Sequence, residues 1–474
     1  MATRSAPSVA VVPTYFNKRH RLLISMAIGD GVLFLPFFTT RDALHLRGVC
    51  KELRDLVTNF QWDDRESRMA ARMGAVALWR ICFPRAIACT LKCIDSRDPK
   101  QRNFPIDNVT VTDNDLALLR GVRYLNITKC VNVTDAGIAY VAAGGKLDTL
   151  KIKYCPIITD NAFSHLAGIK TLDMSGCNQN TITDAAFAHL KGIHALNMSF
   201  CTQATITDAA FAHFTGIHTL DMNGCTQLTD AAFVHLTGIH TLKMSFCTQE
   251  TITDAAFAHL KGVKILIMGD KTNVTDDAFA HLNGIHKLGM FRCNQPTITD
   301  AAFSHLKGIH SLCIDGCWQN TITDAAFAHL EGIHTLSMSD CSQNTITDNA
   351  FSHLKGIHSL GIDSCWQETI TDAAFAHLVG INALSMSCCN QYTITDAAFG
   401  HLVGIDTLCI SGCNQETITD NAFSHLAGIK TLDMSGCNQD TITDNAFSHL
   451  VGIQDLKRGC SNLVESLYFF SESL

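Results

Sequence analysis

The sequence predicts an α/β fold, a right-handed solenoid of short strand–helix units with the strands on the inside of the curve, preceded by a small all-helical domain. Two observations carry this expectation. Fifteen Thr-Asp pairs recur with an almost fixed stride, their aspartates being Asp113, Asp135, Asp160, Asp184, Asp208, Asp230, Asp254, Asp276, Asp300, Asp324, Asp348, Asp372, Asp396, Asp420 and Asp444. Ten of the fourteen intervals are 24 residues, three are 22 and one is 25, and a period in this range is the mark of stacked supersecondary units. Within each period one alternating apolar segment is followed by a segment with the punctuation of a helix.

Taken in order, residues 1–20 carry no periodic pattern and are expected to be flexible. Residues 21–38 follow Lys18, Arg19 and Arg21 and superficially resemble a secretory leader, but Asp30 between Gly29 and Gly31 interrupts them, so neither a leader nor a membrane span is expected. From Leu33 to Val57 the apolar stripe Leu46, Val49, Leu53 and Leu56, with Asp42 near a helix start, reads as a helix-turn-helix, and 21–65 is taken as one helical domain. Residues 66–107 are expected to be a helical linker and cap, 108–456 the array of about fifteen units, and 457–474 a capping helix built on Leu463, Val464, Leu467, Tyr468, Phe469 and Phe470.

One unit reads Ile193-His194-Ala195-Leu196-Asn197-Met198-Ser199-Phe200-Cys201, a loop, then Ile206-Thr207-Asp208-Ala209-Ala210-Phe211-Ala212-His213-Phe214-Thr215-Gly216. Leu196 and Met198 alternate with polar or small residues, as in a short strand. Thr207 is placed to cap the free helix amides, Asp208 to complement the positive end of the dipole, and Gly216 to supply the left-handed turn that ends the helix. Strands stack at ~4.8 Å and helices at ~10 Å, so layers of unequal length must curve with the strands inside. The pattern Ile-x-x-Leu-x-Met-x-x-Cys resembles the leucine-rich repeat, specifically its cysteine-containing class, over about residues 108–456.

Thirteen of the 21 cysteines, from Cys130 to Cys437, occupy one repeat position. In parallel register their side chains run in a column and point the same way, so free thiols are expected rather than disulfides or convergent zinc ligands, and a reducing cytoplasmic or nuclear location with them. Twenty of the 22 histidines fall at two repeat positions without the His-x-x-x-His spacing of a helical metal site. No cofactor or metal is expected. Net charge is −8 and the lysines and arginines are scattered, which argues against nucleic acid as a partner. There is no phosphate-cradling glycine loop and no nucleophile elbow, so no enzymatic activity is expected.

The segment Asp42-Ala43-Leu44-His45-Leu46-Arg47-Gly48-Val49-Cys50-Lys51-Glu52-Leu53, with Phe34, Leu35 and Phe38 ahead of it, resembles an F-box, although Met26-Ala27 stand where that family opens with Leu-Pro and Pro36 falls within its first helix. The resemblance implies that Phe34, Leu35, Phe38, Leu44, Leu46, Val49, Cys50 and Leu53 dock on the adaptor subunit of a cullin-RING ubiquitin ligase while the repeats hold a protein substrate. A helical cap that merely covers the first repeat is the alternative for this segment, and an interaction scaffold or inhibitor without a ligase the alternative for the chain. Partner contact is placed where the copies disagree most, at Ile265, Ile267, Lys287, Phe291 and Arg292 between Val263 and Cys293, with Lys243 at the variable middle position of an earlier strand and Trp318 and Trp366 just after the strand on alternate rungs, since aromatic and arginine side chains dominate recognition surfaces.

Overall fold

The structure, a computed structural model, describes residues 35, 38–48, 51–66, 70, 73, 75–91, 111–270 and 273–458. They form two compact units, 1–197 and 198–474, each built on a parallel sheet with one strand per repeat. The first carries six strands from Asp63–Asp64 to Ala195–Asn197, and the second eleven, from Thr219–Asp221 to Asp455–Lys457. Within each unit the register is strict, with Leu opposite Leu on successive rungs, as in Leu312, Leu336, Leu360, Leu384 and Leu408. Most strands are three residues long, but Ile265–Gly269 and Lys287–Phe291 extend to five and pair along their whole length.

Each rung contributes the same side chains to the layer between strand and helix. In one copy Ile322, Ala326, Phe327, Leu330, Ile333, Leu336, Met338 and Cys341 are all at most 2% exposed. The helical segments are shorter than the sequence pattern suggests. A four-residue α-turn such as Asp184–Phe187 runs into a 3₁₀ turn, Ala188–Leu190, and Asp208–His213 is 3₁₀ throughout. Only about eight residues separate the Thr-Asp pair from the glycine that must turn left-handed, and Gly216 does so at φ 82°. That space closes no more than two turns.

The Thr-Asp pair does more than start a helix. Thr323 accepts the amide of Ala325 at its hydroxyl, as a cap should, and the same hydroxyl donates back to Asp300 of the previous rung at 2.7 Å. The amide of Thr323 donates to the other oxygen of that carboxylate, also at 2.7 Å. This pair of charge-assisted bonds repeats within both units, from Thr134 on Asp113 to Thr183 on Asp160 and from Thr229 on Asp208 to Thr443 on Asp420. The aspartates are therefore rung-to-rung fasteners as well as helix starts.

Cysteine makes a second fastener. The thiols of Cys317, Cys341, Cys365, Cys389 and Cys413 donate to the carbonyls of Met290, Ile314, Met338, Ile362 and Met386 on the rung before, at 2.9 to 3.2 Å. Burial pushes these thiols up, Cys317 to about 12 and Cys177 to about 11. They stay protonated donors at physiological pH.

The N-terminal region departs from expectation in two places. Residues 66–107 were expected to be helical, yet Ala88–Thr90 is a strand that pairs with Tyr124–Asn126, and Asp63–Asp64 pairs with Ala88–Cys89 beyond it. Cys89 stands where the repeats have leucine, opposite Leu125, which hides the strand from a pattern search. The helices Thr40–Arg47 and Lys51–Asn59 form the expected helix-turn-helix, and Thr39 and Asp42 make a capping box. Buried Asp64 ties this pair to the sheet by accepting the Thr40 hydroxyl at 2.5 Å. Residues 1–34 and 459–474, with the expected flexible N-terminus and C-terminal capping helix, lie outside the described residues. Among the described residues no helix is long and apolar enough to cross a membrane.

Replacing Asp300 by alanine should lower stability by about 1–3 kcal/mol, because two bonds to one carboxylate are lost and the amide of Thr323 is left without its acceptor. Asp300→Asn, which retains one acceptor oxygen, should lose less. Urea midpoints of the two variants test this, and equal midpoints would remove the fastener role.

Candidate functional site

The strand-end turn places the residue before each column cysteine in the left-handed region. Five rungs meet this demand with glycine, at Gly176, Gly224, Gly316, Gly412 and Gly436. Nine others do so with a side chain: Lys129, Tyr154, Phe200, Phe246, Asp270, Arg292, Asp340, Ser364 and Cys388, at φ between 53° and 62°. A left-handed non-glycine residue costs about 1–2 kcal/mol, and such strain collects at functional positions. Where a bulky residue precedes a glycine rung, it leans over it. A Cβ added to Gly224 would lie 2.6 Å from the Phe200 ring, and one on Gly316 would lie 2.9 Å from Cγ of Arg292.

In the second unit this column forms one side of a trough of about 610 Å³. Asp270, Arg292, Gly316, Asp340 and Ser364 come from the position before the cysteine, and Asn294, Trp318, Ser342 and Trp366, with Thr248, from the position after it. Trp318 and Trp366 are 60% and 63% exposed, two rungs apart, with Ser342 between them. One is held by its backbone and the other by its ring. The Trp318 amide donates to Asn294 Oδ1 at 2.7 Å, and the Trp366 indole N–H donates to the carbonyl of Cys388 at 2.8 Å, which fixes that ring and leaves its faces for contact.

Both tryptophan rungs carry a second distinctive residue. Asp315 and Asp363 stand where half of the rungs have serine, and each accepts a serine hydroxyl and a serine amide from the next rung: Ser337 and Ser339 at 2.6 and 2.9 Å, Ser385 and Ser387 at 2.5 and 2.6 Å. Burial raises both carboxyls, and these bonds oppose it. They anchor each tryptophan rung to the next. At the trough itself burial raises the Asp270 carboxyl while Arg292 lowers it.

Of the residues proposed from sequence for partner contact, the structure brings Arg292, Trp318 and Trp366 together. The other five lie on the strands instead. Lys243, Ile265, Lys287 and Phe291 are half-buried on the sheet, and Ile267 is only 8% exposed because it folds over Gly289 together with Phe291. Ile267 thus packs largely within the sheet face. Lys271, which replaces a column cysteine, lies outside the described residues. Asp270, Asp340, Asn294, Thr248, Ser342 and Ser364 escaped the sequence reading. Their signal was present in the alternation of glycine with other residues just before the cysteine, which marks a left-handed column.

In the helical head, Leu35, Leu46 and Leu53 are at most 3% exposed and Phe38 is 9% exposed, so these side chains build the head's own core. Leu44 is half-buried, and Phe34, Val49 and Cys50 lie outside the described residues.

At the opposite ends of the strands the Gly-Ile-His histidines stack. His286, His310, His334 and His358 are parallel at 4.7, 4.6 and 4.5 Å between ring centres. Parallel rings do not converge their nitrogens on one point, and among the described residues no group of His, Cys, Asp or Glu could hold a metal ion.

A stack of parallel in-register rungs, each with Leu on the strand, Phe under the helix and glycine at the turn, defines a leucine-rich-repeat protein. The BspA type leucine rich repeat region matches in six copies over residues 156–286, 285–406 and 345–473, and the chain belongs to that family. No curated protein matches it in sequence. In fold it is similar to TLR13 in the TLR13–ssRNA13 complex, at 18% identity and a TM-score of 0.60, over 82% of this chain and 55% of that one. It is also similar to a chain of the Toll–Spatzle complex of Drosophila, at 16% identity and a TM-score of 0.50, over 74% of this chain and 53% of that one. The chain spans about half the length of these structures.

Burial and the flanking His310 and His358 lower the affinity of His334 for a proton below the ordinary value of 6.5. Below that pH the unfolded chain takes up the proton more readily than the folded one, so stability should fall with the pH. Melting temperatures at about pH 7.5 and about pH 5.5 should therefore differ less for a His310→Gln/His358→Gln variant than for the wild type.

Proposed function

We propose that this chain is a non-enzymatic recognition scaffold that holds its partner in the strand-end trough of the second unit. The observation that carries the reading is the left-handed column. Glycine would satisfy the turn on every rung, yet Asp270, Arg292 and Asp340 occupy it at a conformational cost, beside two exposed tryptophans. Large aromatic and arginine side chains are the usual energetic centres of recognition surfaces. The neighbouring solved structures are complexes with a ligand, an RNA in one and Spatzle in the other, which supports a binding role for a fold of this kind.

The test is a panel of soluble proteins and polysaccharides offered to the immobilised chain, each binder being repeated with Trp318→Ala/Trp366→Ala and with Lys307→Ala/Lys355→Ala on the helical side. The tryptophan variant should lose at least about tenfold in affinity and the lysine variant nothing. Binders indifferent to the tryptophans would move the site elsewhere.

A second reading, the substrate receptor of a cullin-RING ligase, draws on the helix-turn-helix of Thr40–Arg47 and Lys51–Asn59 and on its F-box-like sequence. With Leu46 and Leu53 inside the core, Leu44 is the described apolar member of that set left for an adaptor. A pull-down with purified adaptor should capture the wild type and not Leu44→Asp. Failure of the wild type to bind excludes this reading and leaves the first untouched.

A further inference from the structure

We infer that the trough's ligand is a linear β-1,4-linked oligosaccharide, an inference that rests on the trough being the recognition site. Three features of the site favour this chemistry over a protein or a nucleic acid. The first is what the lining lacks. Apart from the two tryptophans and Gly316, every lining residue is polar or charged, and no leucine, isoleucine, valine or methionine is among them. An apolar anchor of a protein partner would have only the two indole rings to pack against. Here an anchor would find ring faces edged by carboxylates, a guanidinium, an amide and hydroxyls. A sugar has the matching surface, with C–H groups on its ring faces for stacking and hydroxyls around its rim for hydrogen bonds.

The second feature is charge. Two aspartates and one arginine line the trough and the chain carries −8 overall, so a phosphate backbone would be repelled rather than gathered. Among the described residues no carboxylate lies within ion-pair distance of Arg292. Its stem lies across Gly316, so its five donors remain for hydroxyl oxygens, while Asp270 and Asp340 to either side supply acceptors.

The third feature is the spacing. Trp318 and Trp366 stand on alternate rungs, about 9.6 Å apart along the stack at the usual parallel-strand separation, which is close to the length of a disaccharide in an extended chain. In a β-1,4-linked chain each ring is turned over relative to the last, so the same face recurs on every second sugar. Two platforms on alternate rungs meet that face twice, and small Ser342 between them leaves room for the intervening ring. The Trp366 platform is held by its indole N–H and the Trp318 backbone by its amide, so the Trp366 ring requires little ordering on binding.

Titration calorimetry of the full chain with cellohexaose and chitohexaose tests the inference, with laminarihexaose, whose β-1,3 linkage changes the repeat, for comparison. At least one β-1,4 hexasaccharide should bind, and laminarihexaose more weakly. Trp318→Ala and Trp366→Ala should each cost about tenfold or more, while Trp318→Phe and Trp366→Phe, which keep a ring, recover most of the affinity. Circular dichroism confirms that each variant is folded, as exposed side chains should allow. Absence of binding by either hexasaccharide, or binding that ignores both alanine variants, overturns the inference. So does a protein or a single-stranded RNA that competes for the tryptophans when neither sugar binds, and that outcome leaves the trough itself standing as a recognition site.

Discussion

The bond between each aspartate and the threonine of the next rung is the constraint on which the rest of the array depends. A 24-residue unit cannot bury enough apolar surface alone to offset the ordering of its backbone, so each must share faces with its neighbours. Packing of Phe, Leu and Ile between layers is non-directional and would tolerate sliding. The carboxylate is not tolerant, because one oxygen takes an amide and the other a hydroxyl of the same residue, which fixes both the spacing and the rotation of adjacent helices. The cysteine thiols perform a comparable task at the strand ends. Strict register of the leucines follows from the two fasteners acting at opposite sides of the core.

Much of the fold was legible in the sequence because a repeated pattern is averaged over fifteen copies. The strand leucine, the Thr cap and the closing glycine all fall where the period puts them. What escaped was whatever a period does not encode. The Asp–Thr link joins residues about 23 positions apart, and a helix-start explanation for aspartate was already sufficient on local grounds. The strand Ala88–Thr90 was missed because Cys89 replaces the leucine that identifies the others. Ile267 looked exposed from its place on the alternating face, yet the absence of a side chain at Gly289 lets it fold down.

The site was half legible for a related reason. Trp318, Trp366 and Arg292 stand out by residue type, and sequence reading weighs type heavily. Their small polar companions are ordinary residues, and only backbone geometry shows that Asp270, Asp340 and Ser364 share the left-handed conformation that five rungs fill with glycine. What separates this surface from the rest of the array is the combination of left-handed Asp270, Arg292 and Asp340 with two exposed tryptophans. In the head, Leu46 and Leu53 fit the docking pattern and also fill the interior of the helix-turn-helix.

The alternation of Trp318, Ser342 and Trp366 makes the second unit a ruler graduated in whole rungs. Copies are gained or lost by such arrays as complete units, so a change in copy number moves these marks by one fixed step and never by a fraction of it. Loss of the single rung between the tryptophans would leave the Asp–Thr and cysteine fasteners a partner and bring the two rings onto adjacent rungs, but it would also set Gly361 and Asp363 where Asp315 now meets Ser337 and Ser339. Recognition in this chain can therefore change in discrete jumps, a form of variation that point substitution in a compact domain does not offer.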